Sequence, residues 1–139
     1  MELFGFGPHL MVDGYEAPPA RLRDAGLIRR VLNELPEEVE MTTVRPPFVY
    51  SYGPGGEDGV TGVVIIAESH IAIHTFPKKR FLSVDIFSCK AFDMAKALKK
   101  LAEVFESRRY EIYMINRGKE FPKDPELARL QRERRTIPL

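Results

Sequence analysis

The sequence lacks several features that would assign it to a class at once. It has one cysteine, Cys89, among 139 residues, which excludes an intrachain disulfide framework and is typical of a reducing compartment. No apolar run approaches the roughly 18 residues that span a bilayer, and no signal-peptide pattern is visible. The net charge of +1 gives no general attraction to nucleic acid or to membranes. We therefore expect a cytoplasmic protein that binds neither.

The composition that is present, 44% hydrophobic and 29% charged, is typical of one globular domain with a real core. Apolar residues at helical spacing predict two amphipathic helices, and period-two or continuous apolar runs predict strands. The predicted helices cover residues 20–35, ended by Pro36, and 92–105. The predicted strands cover 8–14, 40–44, 48–52, 60–67 (buried on both faces), 71–76, 81–89 and 110–115, with a flexible glycine-rich loop at 53–59.

The order of these elements predicts two similar halves, each combining one helix with several strands. This order predicts an α+β fold: a two-layer sandwich in which two main helices cover one face of a largely antiparallel sheet. We expect a single domain over residues 1–116. A charged tail over 117–139, basic at RERR (132–135), follows it.

The stretch VVIIAESHIAIHTF, residues 63–76, places polar groups inside an apolar strand pattern. His70 and His74 are four residues apart, which on a strand is about 13 Å and too far for one shared metal ion. Ser69 lacks the neighbouring glycines that a hydrolase nucleophile elbow requires. A purely structural interpretation, with Ser69 in a turn and the histidines as ordinary polar groups, remains open.

Another possibility is chemistry on the backbone itself. The Ser69 hydroxyl can attack the Glu68 carbonyl carbon, and the resulting ester can eliminate to leave a dehydroalanine that hydrolyses to a pyruvoyl group. This route requires a strained peptide, a base and a hydrogen-bond donor for the oxyanion. His74 is a candidate for the base, and Thr61 is a candidate for the donor.

The segments GPHLMVDGYE (7–16), GVTGVVIIAESHIAIHTFP (59–77) and VDIFSC (84–89) resemble the bacterial and archaeal S-adenosylmethionine decarboxylases, over roughly residues 5–115. These enzymes cleave themselves within the ESH motif. The resemblance implies cleavage between Glu68 and Ser69, and a pyruvoyl cofactor made from Ser69. It also implies processing roles for His74 and Thr61, and a role for Cys89 as the acid of the reaction. Homodimers with sites built from both protomers are implied as well.

The expected substrate is S-adenosylmethionine, decarboxylated for polyamine (spermidine) biosynthesis, but the run HTFPKKR departs from the family. Lys78 stands where the family has a glutamate that binds ribose hydroxyls, and Phe76 replaces a tryptophan. An ammonium cannot accept hydrogen bonds from hydroxyls, so another amino acid such as arginine or ornithine is an alternative substrate. An unprocessed relative that binds a ligand or partner is a third possibility. The candidate aromatics for stacking on the substrate are Phe48, Tyr50 and Tyr52.

Overall fold

The computed structural model describes residues 6–121 together with residues 126, 129, 130 and 132. Within residues 6–121 the α-helices and strands are β1 (Gly7–Tyr15), α1 (Pro19–Leu22), α2 (Ala25–Glu38), β2 (Phe48–Tyr52), β3 (Gly59–Ile66), β4 (Ser69–Phe76), β5 (Phe81–Ser88), α3 (Met94–Phe105) and β6 (Arg109–Arg117). Two short 3-10 helices lie at Pro54–Gly56 and Pro77–Lys79. The first three strands share one half of the chain with α1 and α2, and the last three share the other half with α3. None of the helices in the described part of the chain is long and apolar enough to cross a membrane.

The six strands form one sheet in the order β2-β3-β4-β5-β1-β6. Every pairing between neighbours is antiparallel. The predicted α+β layer fold with a largely antiparallel sheet is therefore confirmed. The strand β6 includes Arg117, the first residue of the predicted tail 117–139, which otherwise lies mostly outside the described residues.

The hydrophobic core lies between one face of the sheet and the helices. Alternate strand residues point into it because successive side chains of a strand face opposite sides. The helix α2 approaches β3 so closely that a Cβ atom on Gly62 would lie 2.6 Å from Leu32 Cδ1 and 2.9 Å from Ile28 Cγ2. The fully buried core side chains include Leu10, Val12, Ile28, Leu32, Leu35, Ile71, Ile73, Leu82, Ile86, Leu101 and Phe105.

The ends of the first helix differ from the prediction. The predicted helix at 20–35 is two helices, because α1 ends at Leu22 and Asp24 caps the start of α2 by accepting a hydrogen bond from the Leu27 amide at 3.0 Å. Pro36 lies inside α2, which continues to Glu38. Proline removes one amide donor, but the carbonyl of Pro36 still accepts a hydrogen bond from the Met41 amide at 2.8 Å, so the last turn is kept.

The predicted strand at 40–44 was wrong. Only Thr43 forms an isolated bridge, to Ile66. Glu40 adopts a left-handed conformation with φ of 60°, and the amide of Thr42 donates to the side chain of Glu68 rather than to a strand. The segment is therefore a connection that crosses the end of β3.

The prediction that the strand at 60–67 is buried on both faces was also wrong. Val64 and Ile66 point into the core, but Ile65 is 56% exposed. It belongs to the second face of the sheet, which no helix of residues 6–121 covers. We call this surface the open face. Its exposed apolar side chains include Phe48, Tyr50, Tyr52, Ile65, Phe76, Tyr113 and Ile115.

Candidate active site

The strands β3 and β4 are joined by a two-residue turn, Ala67 and Glu68, and Ser69 is the first residue of β4. Ser69 pairs with Ile66 on one side and with Ser88 on the other. The chain's left-handed non-glycine residues lie elsewhere, so the turn contains no left-handed residue. The Glu68–Ser69 peptide is thus presented at the end of the sheet by regular hairpin pairing, and the backbone strain that the cleavage route led us to expect at this turn is not observed.

Glu68 is held by hydrogen bonds from two neighbouring segments. Its carbonyl oxygen accepts a hydrogen bond from the Cys89 amide at 2.9 Å. Its carboxylate Oε1 accepts one from the Thr42 amide at 2.9 Å, and Oε2 lies 4.0 Å from Lys90 Nζ. With only 9% of its surface exposed, Glu68 requires these partners, because a buried carboxylate without them is costly. The three predicted residues Glu68, Ser69 and Cys89 thus lie together, and we call them the cleavage cluster.

The position of Cys89 depends on two residues that the sequence patterns did not reveal. The Ser88 hydroxyl donates to the Lys90 carbonyl at 2.7 Å and accepts from the Lys90 amide at 3.1 Å, which closes a tight turn around Cys89. Gly7 of β1 lies against this turn. A Cβ atom there would be 1.9 Å from the Ser88 carbonyl oxygen and 2.9 Å from the Cys89 Cα. Only glycine lets β1 pass so close to the cleavage cluster.

A second group of predicted residues lies at the other end of β3 and β4. Thr61 Oγ1 and His74 Nδ1 are 3.2 Å apart, on residues that face each other across the ladder. Together they form the base cluster. It opens into a cavity of about 560 Å³, whose other lining residues are Tyr52, Gly53, Asp58, Thr75 and Phe76. The cavity wall therefore combines aromatic rings, several hydroxyls, an imidazole and one carboxylate.

The two clusters are far apart within one chain. Ser69 and His74 are five residues apart on the single strand β4, which at the rise of a strand separates them by about 16 Å. Strand alternation also places His74 on the open face, whereas Ser69 is on the opposite face, the one to which the core residues Ile71 and Ile73 belong. His74 therefore cannot contact the Glu68–Ser69 peptide of its own chain.

Lys78 does not line the cavity, but it contacts a residue that does. Its Nζ lies 2.6 Å from Asp58 Oδ1, and this hydrogen bond raises the pKa of Lys78. Lys78 borders a separate groove with Arg23 and Glu57, whereas Asp58 lines the cavity itself. No sequence pattern pointed to Asp58, because the glycine-rich composition of residues 53–59 predicted only a flexible loop.

The three candidate stacking residues occupy alternate positions of β2 on the open face. Phe48 lies opposite Val63, Tyr50 opposite Thr61, and Tyr52 opposite Gly59. Of these three, only Tyr52 lines the cavity. The structure therefore brings Tyr52 and Phe76 to the base cluster and leaves Phe48 further along the strand.

The architecture has a counterpart among solved structures. The fold is similar to the crystal structure of the adenosylmethionine decarboxylase from Aquifex aeolicus, with a TM-score of 0.72 and 26% identity. The match covers 84% of this chain and 93% of that chain. The one-sided helical layer on an antiparallel sheet is shared with that enzyme, so the class of protein is that of the α+β decarboxylases.

Sequence comparisons identify the family. The family model for S-adenosylmethionine decarboxylase matches residues 8–118. The S-adenosylmethionine decarboxylase proenzyme of Archaeoglobus fulgidus is 32% identical over 113 residues, which is 81% of this chain and 97% of that protein. The proenzyme of the same name from Clostridium botulinum is 34% identical over 114 residues, 81% and 95% of the two chains. The chain belongs to the S-adenosylmethionine decarboxylase family.

Proposed function

We propose that this protein cleaves itself between Glu68 and Ser69 and then decarboxylates S-adenosylmethionine with the pyruvoyl group formed from Ser69. The main support is the Glu68–Ser69 peptide itself, held at the β3–β4 turn with its carbonyl hydrogen-bonded by the Cys89 amide at 2.9 Å. This amide polarises the carbonyl that the Ser69 hydroxyl attacks and stabilises the developing oxyanion.

The cleavage proceeds through the ester of Glu68 with the Ser69 oxygen. A base removes the α-proton of residue 69, and the electrons of that C–H bond form the Cα=Cβ double bond of a dehydroalanine. The Cβ–O bond of the ester breaks at the same time, and Glu68 leaves as a carboxylate. Water then replaces the amine of the dehydroalanine and ammonia is released, which leaves a pyruvoyl group. The Glu68 side chain, fixed by Thr42, keeps the leaving end of the first fragment in place.

His74 is the proposed base, and Thr61 sets its tautomer. When the Thr61 oxygen accepts a hydrogen bond from Nδ1–H, the other nitrogen of His74 is unprotonated and can take a proton. Thr61 retains the hydroxyl that this task requires. Because His74 is about 16 Å from Ser69 along β4, the base that serves each cleavage cluster comes from a second chain.

We therefore propose a homodimer in which the open faces pack together. Several large apolar side chains of the open face are half exposed or more, with Phe48 at 66%, Ile65 at 56% and Tyr50 at 54%. An apolar surface of this kind is typical of an interface. A two-fold axis between the sheets places the base cluster of one protomer beside the cleavage cluster of its partner, so each site uses both chains.

The pyruvoyl group, when formed, withdraws electrons from the substrate α-carbon as carbon dioxide leaves. The residues of this chain would do the rest. The thiol of Cys89, beside residue 69, would deliver a proton to the substrate carbon that has lost its carboxylate. The rings of Tyr52 and Phe76 offer faces on which the adenine can stack. The carboxylate of Asp58 can accept hydrogen bonds from the ribose hydroxyls.

The cavity lining suits groups of S-adenosylmethionine that arginine and ornithine lack, because Tyr52 and Phe76 face the adenine position and Asp58 supplies an acceptor for ribose hydroxyls. The positive charge of Lys78 is compensated by Asp58 at 2.6 Å and lies outside the cavity lining. A sulfonium cation therefore meets a carboxylate and aromatic faces in the cavity rather than a free ammonium, and both interactions are favourable. The product would serve as an aminopropyl donor for polyamine synthesis in the cytoplasm.

The experiment that tests this function is release of labelled carbon dioxide from carboxyl-labelled S-adenosylmethionine, arginine and ornithine in parallel. We expect release from S-adenosylmethionine and background release from the other two. The Ser69→Ala variant is the control and should release none, because it cannot form the pyruvoyl group. Release from arginine or ornithine alone would contradict the proposed substrate.

A further inference from the structure

A carboxylate on the open face, that of Asp85, contacts side chains of both strands that flank its own. Asp85 of β5 has its Oδ1 3.1 Å from His9 Nε2 and 3.4 Å from His70 Nε2. His9 belongs to β1, and His70 is the residue after Ser69. The His9 ring stacks on Phe87 with the ring centroids 5.1 Å apart and an angle of 20° between the planes. One carboxylate oxygen thus joins three neighbouring strands.

Arg117 of a fourth strand, β6, indicates which nitrogen of His9 carries the hydrogen. Arg117 Nη1 lies 3.4 Å from His9 Nδ1, and its guanidinium lies 4.1 Å above the Phe87 ring. A guanidinium can only donate, so His9 Nδ1 is the acceptor and Nε2 carries the proton that His9 gives to Asp85. His70 Nε2 lies 3.4 Å from the same oxygen, within ion-pair distance. The Asp85 side chain thus accepts a hydrogen bond from His9 and contacts His70 through the same oxygen.

The proposed cleavage changes what holds the end of β4. Before cleavage, the covalent turn through Ala67 and Glu68 ties residue 69 to β3. After cleavage that tie is gone, and residue 69 keeps no side chain that could anchor it. The end of β4 is then held by its backbone ladder and by the His70 side chain. Chain termini open locally unless they are tied down.

We propose that Asp85 is a positioning residue that anchors the new end of β4 through His70, and so holds the pyruvoyl group in place for turnover. This inference rests on the proposed self-cleavage. We expect Asp85 to have little effect on the rate of cleavage, because the intact hairpin and the contacts of Glu68 with Thr42 and Cys89 hold the peptide before it breaks.

The first test measures amide hydrogen exchange at residues 70–73 by mass spectrometry, with and without Asp85→Ala, in two backgrounds. One background is the cleaved protein, and the other is uncleaved Ser69→Ala. We expect Asp85→Ala to speed exchange by about tenfold or more in the cleaved protein, and by only about twofold where the hairpin is intact. Equal effects in both backgrounds would overturn the proposal, because a general structural role does not depend on cleavage.

The second test measures turnover. Asp85→Ala should form both fragments at the wild-type rate and react fully with a carbonyl reagent. Its kcat should fall by about 10- to 100-fold while KM changes by less than about threefold, as expected when a reacting group is misplaced by about an ångström. Asp85→Asn, which keeps an oxygen acceptor, should recover part of the loss. Unchanged kcat in both variants, or failure of both to cleave, would overturn the proposal.

The matched control is Asp13→Asn, which removes a carboxylate from the same face of the neighbouring strand β1, opposite Ser83. It should behave as wild type in both tests. If the wild-type chain itself does not cleave or shows no carbonyl, the proposed function has failed. If it cleaves and turns over but Asp85 has no effect, only the role of Asp85 has failed.

Discussion

The backbone amide of Cys89 donates a hydrogen bond to the carbonyl oxygen of Glu68 at 2.9 Å. This contact joins the two proposed tasks of the site, because the carbonyl belongs to the peptide to be cleaved and the thiol belongs to the residue that returns a proton to the product. The amide and the thiol are separate groups of one residue. Their contributions can therefore be separated by mutation.

Cys89→Ala removes the thiol and leaves the amide. We expect self-cleavage at close to the wild-type rate, since the polarising hydrogen bond is kept, and a loss of kcat of about 100-fold or more, in the range expected for a general acid. Denaturing electrophoresis measures the cleavage, and carbon dioxide release measures kcat. An unchanged kcat would remove Cys89 from the catalytic residues.

The separation of Ser69 from His74 makes a prediction about mixed dimers. Ser69→Ala chains lack the nucleophile and His74→Ala chains lack the base, so neither should cleave alone. When the two are produced together, a mixed dimer has one complete site, made of Ser69 from one chain and His74 from the other. The His74→Ala chain should then cleave and the Ser69→Ala chain should not. No cleavage in the mixture, or cleavage of His74→Ala alone, would contradict a shared site.

Asp58→Asn tests the recognition of the substrate. We expect a KM for S-adenosylmethionine about 10- to 100-fold higher with normal cleavage, because the amide loses the charge and one acceptor that face the cation and the ribose hydroxyls. The hydrogen bond to Asp58 raises the pKa of Lys78, so the ammonium is charged at neutral pH and loses its proton only as the pH rises through that pKa. The ion pair between Lys78 and Asp58 should therefore be present at neutral pH, where the assay is run.

Glu57→Gln is the control for that variant, since Glu57 is the adjacent acidic residue of the same loop but lines the outer groove with Lys78. Its KM should equal the wild-type value. If Asp58→Asn also keeps the wild-type KM, the carboxylate does not contact the substrate, and another group must hold the ribose.

The sequence predicted the layers of the fold because its helices and most strands have clear periodicity. The segment 40–44 contains the apolar and β-branched residues that are typical of a strand. Its backbone does not form one, because Glu40 is left-handed and the Thr42 amide donates its hydrogen bond to the Glu68 carboxylate. Likewise the exposed Ile65 looks like a core residue in sequence. An apolar side chain on an uncovered sheet face cannot be distinguished from a buried one by pattern alone.

The candidate site was predicted through local motifs, and the residues that were missed come from other elements. Ser69, His74, Cys89 and Thr61 lie in recognisable segments, but their distances depend on strand register. Asp58 and Gly7 contribute through close approaches between segments distant in sequence. Such contacts depend on tertiary packing, so they cannot be predicted from a local stretch of sequence.

The most direct test of the central claim is the intact mass of the purified wild-type protein under denaturing conditions. Self-cleavage predicts two species: residues 1–68 ending in a free carboxylate, and residues 69–139 lighter than the unmodified fragment by one ammonia and resistant to amino-terminal sequencing. Ser69→Ala should give the single full-length mass. A wild-type chain that keeps the full-length mass after prolonged incubation would contradict self-cleavage and the pyruvoyl chemistry that depends on it.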